Sequence, residues 1–342
     1  MTKTRKVLLY SSAAILFVII LLIFRLMSGP GVYCRGTRSV LVIPTGSNYN
    51  QVLDSIYKNF RIGNRSLFEL IARKKNYPSR IKPGKYIIQR NLSYNSFLNL
   101  LRSGRQTPVD ITFNNIKTLF QLAGKVGGQI EADSAQLAAF LMNPANYSAD
   151  GFTKENIISV FIPDTYELYW NTTASGFYDK MLKEYDRFWS DERMRKAKEE
   201  KLTKTDVSTL ASLVDEETTK PDEKEKIAGV YLNRLRLGMP LQSDPTIKFA
   251  LGDFTITRVL SKQLLTNSPY NTYKHTGLPP GPIGCPTVEG IDAVLNASRN
   301  DYLYFVAKSD FSGYHTFSRT LAEHNRYAAM YQKELDKRKI FK

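Results

Sequence analysis

Three consecutive carboxylates, Asp215, Glu216 and Glu217, close the segment DVSTLASLVDEE. Advancing about 100° per residue from Val207 gathers Leu210, Ala211, Leu213 and Val214 on one side of a helix. Glu216 falls opposite that stripe and Asp215 on its flank. Glu217 falls inside it, on the helical repeat of Val214 and Leu210. A carboxylate turned toward an apolar face is costly unless it is paired or protonated. That environment makes a glutamate a general acid near neutral pH. Two plainer arrangements fit the same residues: a helix that frays after Val214, or a structural salt bridge from Glu217 to a lysine or arginine.

The elements that must position these acids follow from the punctuation. The stretch from Asp206 to Gly238 reads as two helices broken at Thr219-Lys220-Pro221, with proline in the first turn of the second and Gly238 as its stop. Around them, between residues 161 and 325, lie short aromatic segments rich in Asn, Gln, Ser and Thr: FIPDTY, LQSDPT, YNTY, GLPPGPI, YLYFV and HTF, with EHN behind. Rings that stack on sugar faces, with amides and hydroxyls for sugar hydroxyls, give such a composition. Core packing with surface turns gives it too, and LPPGPIG reads equally as a fixed loop.

The rest of the chain frames this region. Residues 7–24 carry no charge and are long enough to cross a bilayer. Lys3, Arg5 and Lys6 precede them, which predicts a cytoplasmic tail at 1–6, a transmembrane helix at 7–25 and everything after it outside. The competing cleaved signal peptide would need a shorter apolar core and a small-residue cleavage site, where Phe24-Arg25-Leu26-Met27 stands. Two cysteines, Cys34 and Cys285, offer no metal-ligand spacing and at most one bridge. The net charge of +16 suits an anionic partner such as acidic lipid or an acidic wall polymer, and outside the membrane nucleic acid is the poorest fit. Asp191–Lys204 reads as an exposed mixed-charge helix.

Residues 38–107 read as a small module. VLVIP is a strand, Asn50–Lys58 and Ser66–Lys74 carry helical spacing, KPGKYII turns into a second strand, and Ser93–Arg102 is a third helix. This strand–helix–helix–strand order with its KPGKY turn resembles a LysM-type carbohydrate-binding fold; a generic α+β spacer is the other reading. Val109–Ile116 opens a new strand at a boundary near residue 108, followed by helices at Thr118–Gly127 and Asp133–Leu141. The class is α+β: a transmembrane helix, the small module and a larger mixed domain over 108–342.

Taken together, LASLVDEET, VYLNRLRLGMPLQSDPT, YNTY, GLPPGPI, YLYFVA and HTFSRTLAEHN resemble the YceG-like endolytic murein transglycosylases (MltG), over roughly residues 38–330 and in the family's order. The resemblance implies a single membrane anchor in the cytoplasmic membrane, a LysM-like subdomain and an extracytoplasmic catalytic domain. It makes Glu217 the catalytic residue, with Asp215 standing where members often carry Glu. It implies one carboxyl acting as acid and then base on the bond between N-acetylmuramic acid and N-acetylglucosamine, leaving a 1,6-anhydro end, with no metal or cofactor. Gln242, Ser243, Asn271 and Tyr273 are the candidates for orienting sugar hydroxyls and N-acetyl groups. Asp244 and Asp164 would hold loops or substrate. His315 would bind substrate, or be a satisfied structural histidine beside Thr316 and Phe317. Expected partners are glycan strands and peptidoglycan synthases. A lysozyme-type muramidase, which needs a second carboxylate, and a non-catalytic glycan-binding scaffold are the alternatives.

Overall fold

The computed structural model describes residues 29–338, together with Ala14, Ile15, Phe17 and Val18. Apart from those four residues, the segment 7–25 expected to span the membrane lies outside the described residues. Among the described residues no helix is long and apolar enough to cross one. The architecture is mixed α+β, with four two-stranded sheets among many helices. Contacts divide the chain into two units. The first runs to Ile111 and takes in Gln129–Ala132 and Glu167–Thr173; the second comprises Thr112–Gly128, Asp133–Tyr166 and the chain from Ala174 onward.

The first unit contains β1 (Val32–Cys34), β2 (Ser39–Ile43), α1 (Tyr49–Asn59), β3 (Phe60–Ile62), α2 (Arg65–Lys74), β4 (Gly84–Ile88) and α3 (Tyr94–Ser103), and reaches β5 (Val109–Phe113). β2 and β4 pair antiparallel from Ser39↔Ile88 to Ile43↔Gly84, with α1 and α2 between them in sequence. Alternate residues of each strand, Leu41 and Ile43 against Tyr86 and Ile88, point into the core. There they join Ile56, Phe68 and Phe97, and Phe60 meets Phe97 edge-on at 5.2 Å. Each helix starts where a side chain can take an otherwise unpaired N–H: Asn48, Asn64 and Ser93 are the N-caps.

The second unit continues with α4 (Leu119–Gly127), α5 (Ser134–Leu141), β6 (Asp164–Leu168), α6 (Ala174–Phe188), α7 (Asp191–Glu199), α8 (Lys204–Glu217), α9 (Pro221–Arg236), α10 (Asp244–Leu251), α11 (Val288–Leu295), β7 (Tyr304–Ala307), β8 (His315–Ser318) and α12 (Leu321–Lys337). β6 pairs with β5. One expected element divides. The charged run from Asp191 to Lys204 is not one helix, because Lys201 takes a left-handed φ of 60° and Thr203 starts α8 with a capping box to Asp206. The reciprocal Thr203–Asp206 bonds settle two N-terminal N–H groups of α8 locally, so the new helix begins there whatever the charge pattern upstream.

α8 is the spine of this unit. Every residue from Val207 to Val214 is buried, so the helix is covered on all sides. Two of its buried hydroxyls bond back to the helix: Thr209 Oγ1 donates to Thr205 O and Ser212 Oγ to Thr209 O, both at 2.7 Å. Ser212 Oγ also accepts from Ile283 N at 3.0 Å, pinning the proline-rich loop 278–286 to the helix. That loop is scaffold, with Gly281–Pro286 buried. A Cβ on Gly281 would stand 2.0 Å from Glu155 O, so only glycine allows the approach. Cys34 and Cys285 are both free thiols.

Candidate active site

α8 runs unbroken to Glu217, and the three acids at its end meet three environments. Glu216 is exposed and pairs with Lys117. Asp215 is largely enclosed and forms an ion pair with Lys224 of α9 at 2.6 Å. It also accepts from Thr287 N at 2.7 Å and Thr287 Oγ1 at 2.9 Å, where Thr287 caps α11. One carboxylate thereby ties three helices together. Gly290 leaves room for it: a Cβ there would fall 2.5 Å from Asp215 Oδ1.

Glu217 takes hydroxyl partners where Asp215 takes a cation. Tyr231 Oη and Ser243 Oγ both donate to Glu217 Oε1, each at 2.7 Å. Burial pushes the Glu217 carboxyl above the ordinary carboxylate range, and the nearby Asp244 charge adds to the rise. The two hydroxyl bonds and His315 work against it without cancelling it. Because both donors fall on Oε1, that oxygen is the carbonyl of the protonated acid, and the proton belongs on Oε2. The arrangement is a carboxylic acid held in one orientation with its second oxygen available.

Glu217 lies in the wall of a cavity of about 410 Å³. Gln242, Asp244 and Tyr273 line the same cavity, as does the β7–β8 hairpin through Tyr304 and His315. The hairpin is in antiparallel register from Tyr304↔Ser318 to Ala307↔His315. Tyr273 Oη donates to Asp244 Oδ1 at 2.5 Å, so these two residues act as one unit. Gln242 holds a left-handed φ of 53°, fixed by its N–H to Thr272 O at 3.0 Å, and this turn presents its side chain outward. Ser243 is 1% exposed and reaches Glu217, not open space.

Of the residues singled out in the sequence, Glu217, Gln242, Asp244, Tyr273 and His315 line one cavity, with Ser243 directly behind Glu217. Asn271 does not belong to that group. It is fully buried, its amide donates to Leu264 O and Thr266 O, and its Oδ1 accepts from Tyr273 N, so it shapes the loop that delivers Tyr273. Asp164 is exposed at the start of β6 and accepts from its neighbour Thr165 N. It is not among the residues lining the cavity.

Several residues in or behind the cavity wall go beyond those singled out in the sequence, Tyr231 from behind it through Glu217. Tyr231 is 1% exposed on the α9 face that carries Ile227 and Ala228, and its i, i+3, i+4, i+7 spacing with Lys224 was the available signal. Arg234, 7% exposed on the same face, spans Leu303 O at 2.6 Å and Leu241 O at 2.8 Å, bracing the floor. Its guanidinium lies over the Tyr304 ring at 5.1 Å. Burial and the Arg234 charge hold the His324 imidazole below its usual range.

The YceG-like family matches residues 41–330 of the chain. Over 304 residues the chain is 31% identical to a Bacillus subtilis protein named endolytic murein transglycosylase, covering 84% of this chain and 83% of that one. It is 31% identical over 296 residues to a protein of the same name from Streptococcus pneumoniae, covering 78% of this chain and 53% of the relative, so it spans about half the streptococcal length. A crystal structure of a YceG-like protein from Listeria monocytogenes aligns with a TM-score of 0.56 at 27% identity, over 85% of this chain and 98% of the other. The matched span includes the whole cavity and the helix that ends in Glu217, and the chain belongs to the YceG-like family.

Proposed function

We propose that the protein is an endolytic lytic transglycosylase in which Glu217 serves as general acid and then general base. The carrying observation is the Glu217 carboxyl itself: enclosed, raised in pKa, held by two hydroxyls on Oε1 and set in the cavity wall. The names of the Bacillus and Streptococcus relatives supply the substrate class. In the proposed reaction, the Glu217 proton passes to the glycosidic oxygen between N-acetylmuramic acid and N-acetylglucosamine as its bond to muramyl C1 breaks. Positive charge develops at C1 and the ring oxygen. The C6 hydroxyl oxygen of the same sugar then bonds to C1, and its proton returns to Glu217. Atoms balance without water, and the new end is a 1,6-anhydromuramyl residue. Gln242 and the Tyr273–Asp244 pair hold the sugars against Glu217.

The same reading anchors the protein in the cytoplasmic membrane through the uncharged stretch 7–24, with the catalytic domain outside. The strand–helix–helix–strand core of the first unit is proposed as a LysM-like glycan contact. Peptidoglycan synthases are the proposed partners, the cut limiting the length of nascent strands.

The test is mass spectrometry of glycan strands treated with the full chain in detergent and with its Glu217→Gln variant. Anhydromuramyl ends from the wild type alone are expected. Reducing ends, heavier by one water, would instead make the protein a hydrolase, with Asp244 as the second carboxylate to examine. Equal cutting by both proteins would remove Glu217 from the chemistry.

A further inference from the structure

Glu223 has no part in the reaction just described, yet it is a buried carboxylate, 4% exposed, in the first turn of α9. Both of its oxygens are given to one residue. Oε1 accepts from the backbone N–H of His315 at 2.8 Å, and Oε2 meets His315 Nδ1 at 2.9 Å. The imidazole is held on another side by Phe305, edge-on at 5.4 Å and 84°. His315 lies in the cavity with Glu217.

The chemistry of this pair is one-sided. A carboxylate only accepts, so Nδ1 must carry the hydrogen, and in the neutral ring Nε2 is then an acceptor. Resting on the proposed glycan substrate, we infer that Glu223 is a positioning residue that fixes His315 with Nε2 as acceptor for a hydroxyl group of the bound sugar. A hydroxyl can donate to such a nitrogen, whereas an Nε2–H would reverse the bond onto the hydroxyl oxygen and leave the hydroxyl's own hydrogen without this acceptor.

Glu223→Gln separates tautomer from shape. The backbone N–H of His315 can only donate, so the glutamine carbonyl must take the place of Oε1. Its NH₂ then faces Nδ1, which must accept, and the hydrogen moves to Nε2. The fold and both contacts survive while the cavity-facing nitrogen changes from acceptor to donor.

The experiment is two-bond ¹H–¹⁵N NMR on full-length protein labelled at its three histidines, at pH 8. His315→Ala identifies the resonance, and the kinetics of strand cleavage are measured alongside. The expected result is an Nδ1–H ring in the wild type and an Nε2–H ring in Glu223→Gln. The variant's KM for strands should rise about tenfold, the loss of roughly one net hydrogen bond, with kcat within about twofold. A wild-type ring that is Nε2–H or doubly protonated at that pH would overturn the inference, and this reading needs no variant to fold. A swapped tautomer with unchanged KM would overturn it as well. Neither readout depends on product identity, so reducing-end products would sink the transglycosylase reading and leave this inference standing.

Discussion

Asp215 and Glu217 sit two residues apart on the last turn of α8, and their surroundings divide structure from chemistry. Asp215 faces a lysine and the cap of a neighbouring helix, so its charge is matched and its proton is not needed. Glu217 faces two hydroxyls, which orient the group without neutralising it. Enclosure costs a charged carboxylate several kcal/mol, and an ion pair offsets that cost where hydroxyls do so only in part. A buried acid with a cation is a rivet, while a buried acid among hydroxyls is a proton store.

Breaking the second member should have the largest effect. Glu217→Gln is expected to lower strand cleavage about a thousandfold or more, read by product release, with circular dichroism unchanged. Breaking the first should unfold the site without touching the acid. Asp215→Ala strands Lys224 between helices and should cost about 3–5 kcal/mol, measured by denaturant titration. Gly290→Ala crowds Asp215 from the other side, with an expected loss of about 1–3 kcal/mol in the same assay. Tyr231→Phe removes one of the two bonds that favour the ionised Glu217. The carboxyl should rise further, moving the alkaline limb of kcat/KM upward in pH, with activity at neutral pH changing by about tenfold or less.

The finest distinction is in the pH dependence of stability. Glu217 has a raised pKa in the folded state, so the folded protein holds this proton more tightly than the unfolded chain does. The stability linked to it is full below the ordinary carboxylate range, about 4.3, and is lost as pH rises through the folded value. Glutamine has no such loss. The Tm of Glu217→Gln should therefore exceed that of the wild type at neutral pH, and the gap should close on acidification. A gap that widened in acid would show that Glu217 behaves like a paired carboxylate.

Local order was legible where local chemistry sets it. The break at Thr219–Lys220, the proline at the start of α9 and the inward placement of Glu217 all follow from spacing within two turns. So do β2, α1, α2, β4 and α3 of the first unit, because alternation and caps are short-range signals, whereas the three-residue strands β1 and β3 were not foreseen. What escaped was long-range or reciprocal. Glu223 meets His315 across 92 residues, and Asp215 meets Thr287 across 72. Asn271 has the residue type of a sugar ligand, yet nothing nearby in sequence shows that Leu264 and Thr266 turn their carbonyls onto it. The returns of Gln129–Ala132 and Glu167–Thr173 to the first unit likewise leave no mark in local periodicity.

The placement of both hydroxyls on one oxygen of Glu217 also decides how an inactive variant would look to a crystallographer. In Glu217→Gln the carbonyl must stay under Tyr231 and Ser243, so the NH₂ replaces Oε2 and presents N–H to the cavity. The amide can still donate a hydrogen bond to a bridging ether oxygen, but it has no acidic proton to surrender. That variant is a trap for an intact strand, caught with the uncut linkage in the place where the wild type would sever it.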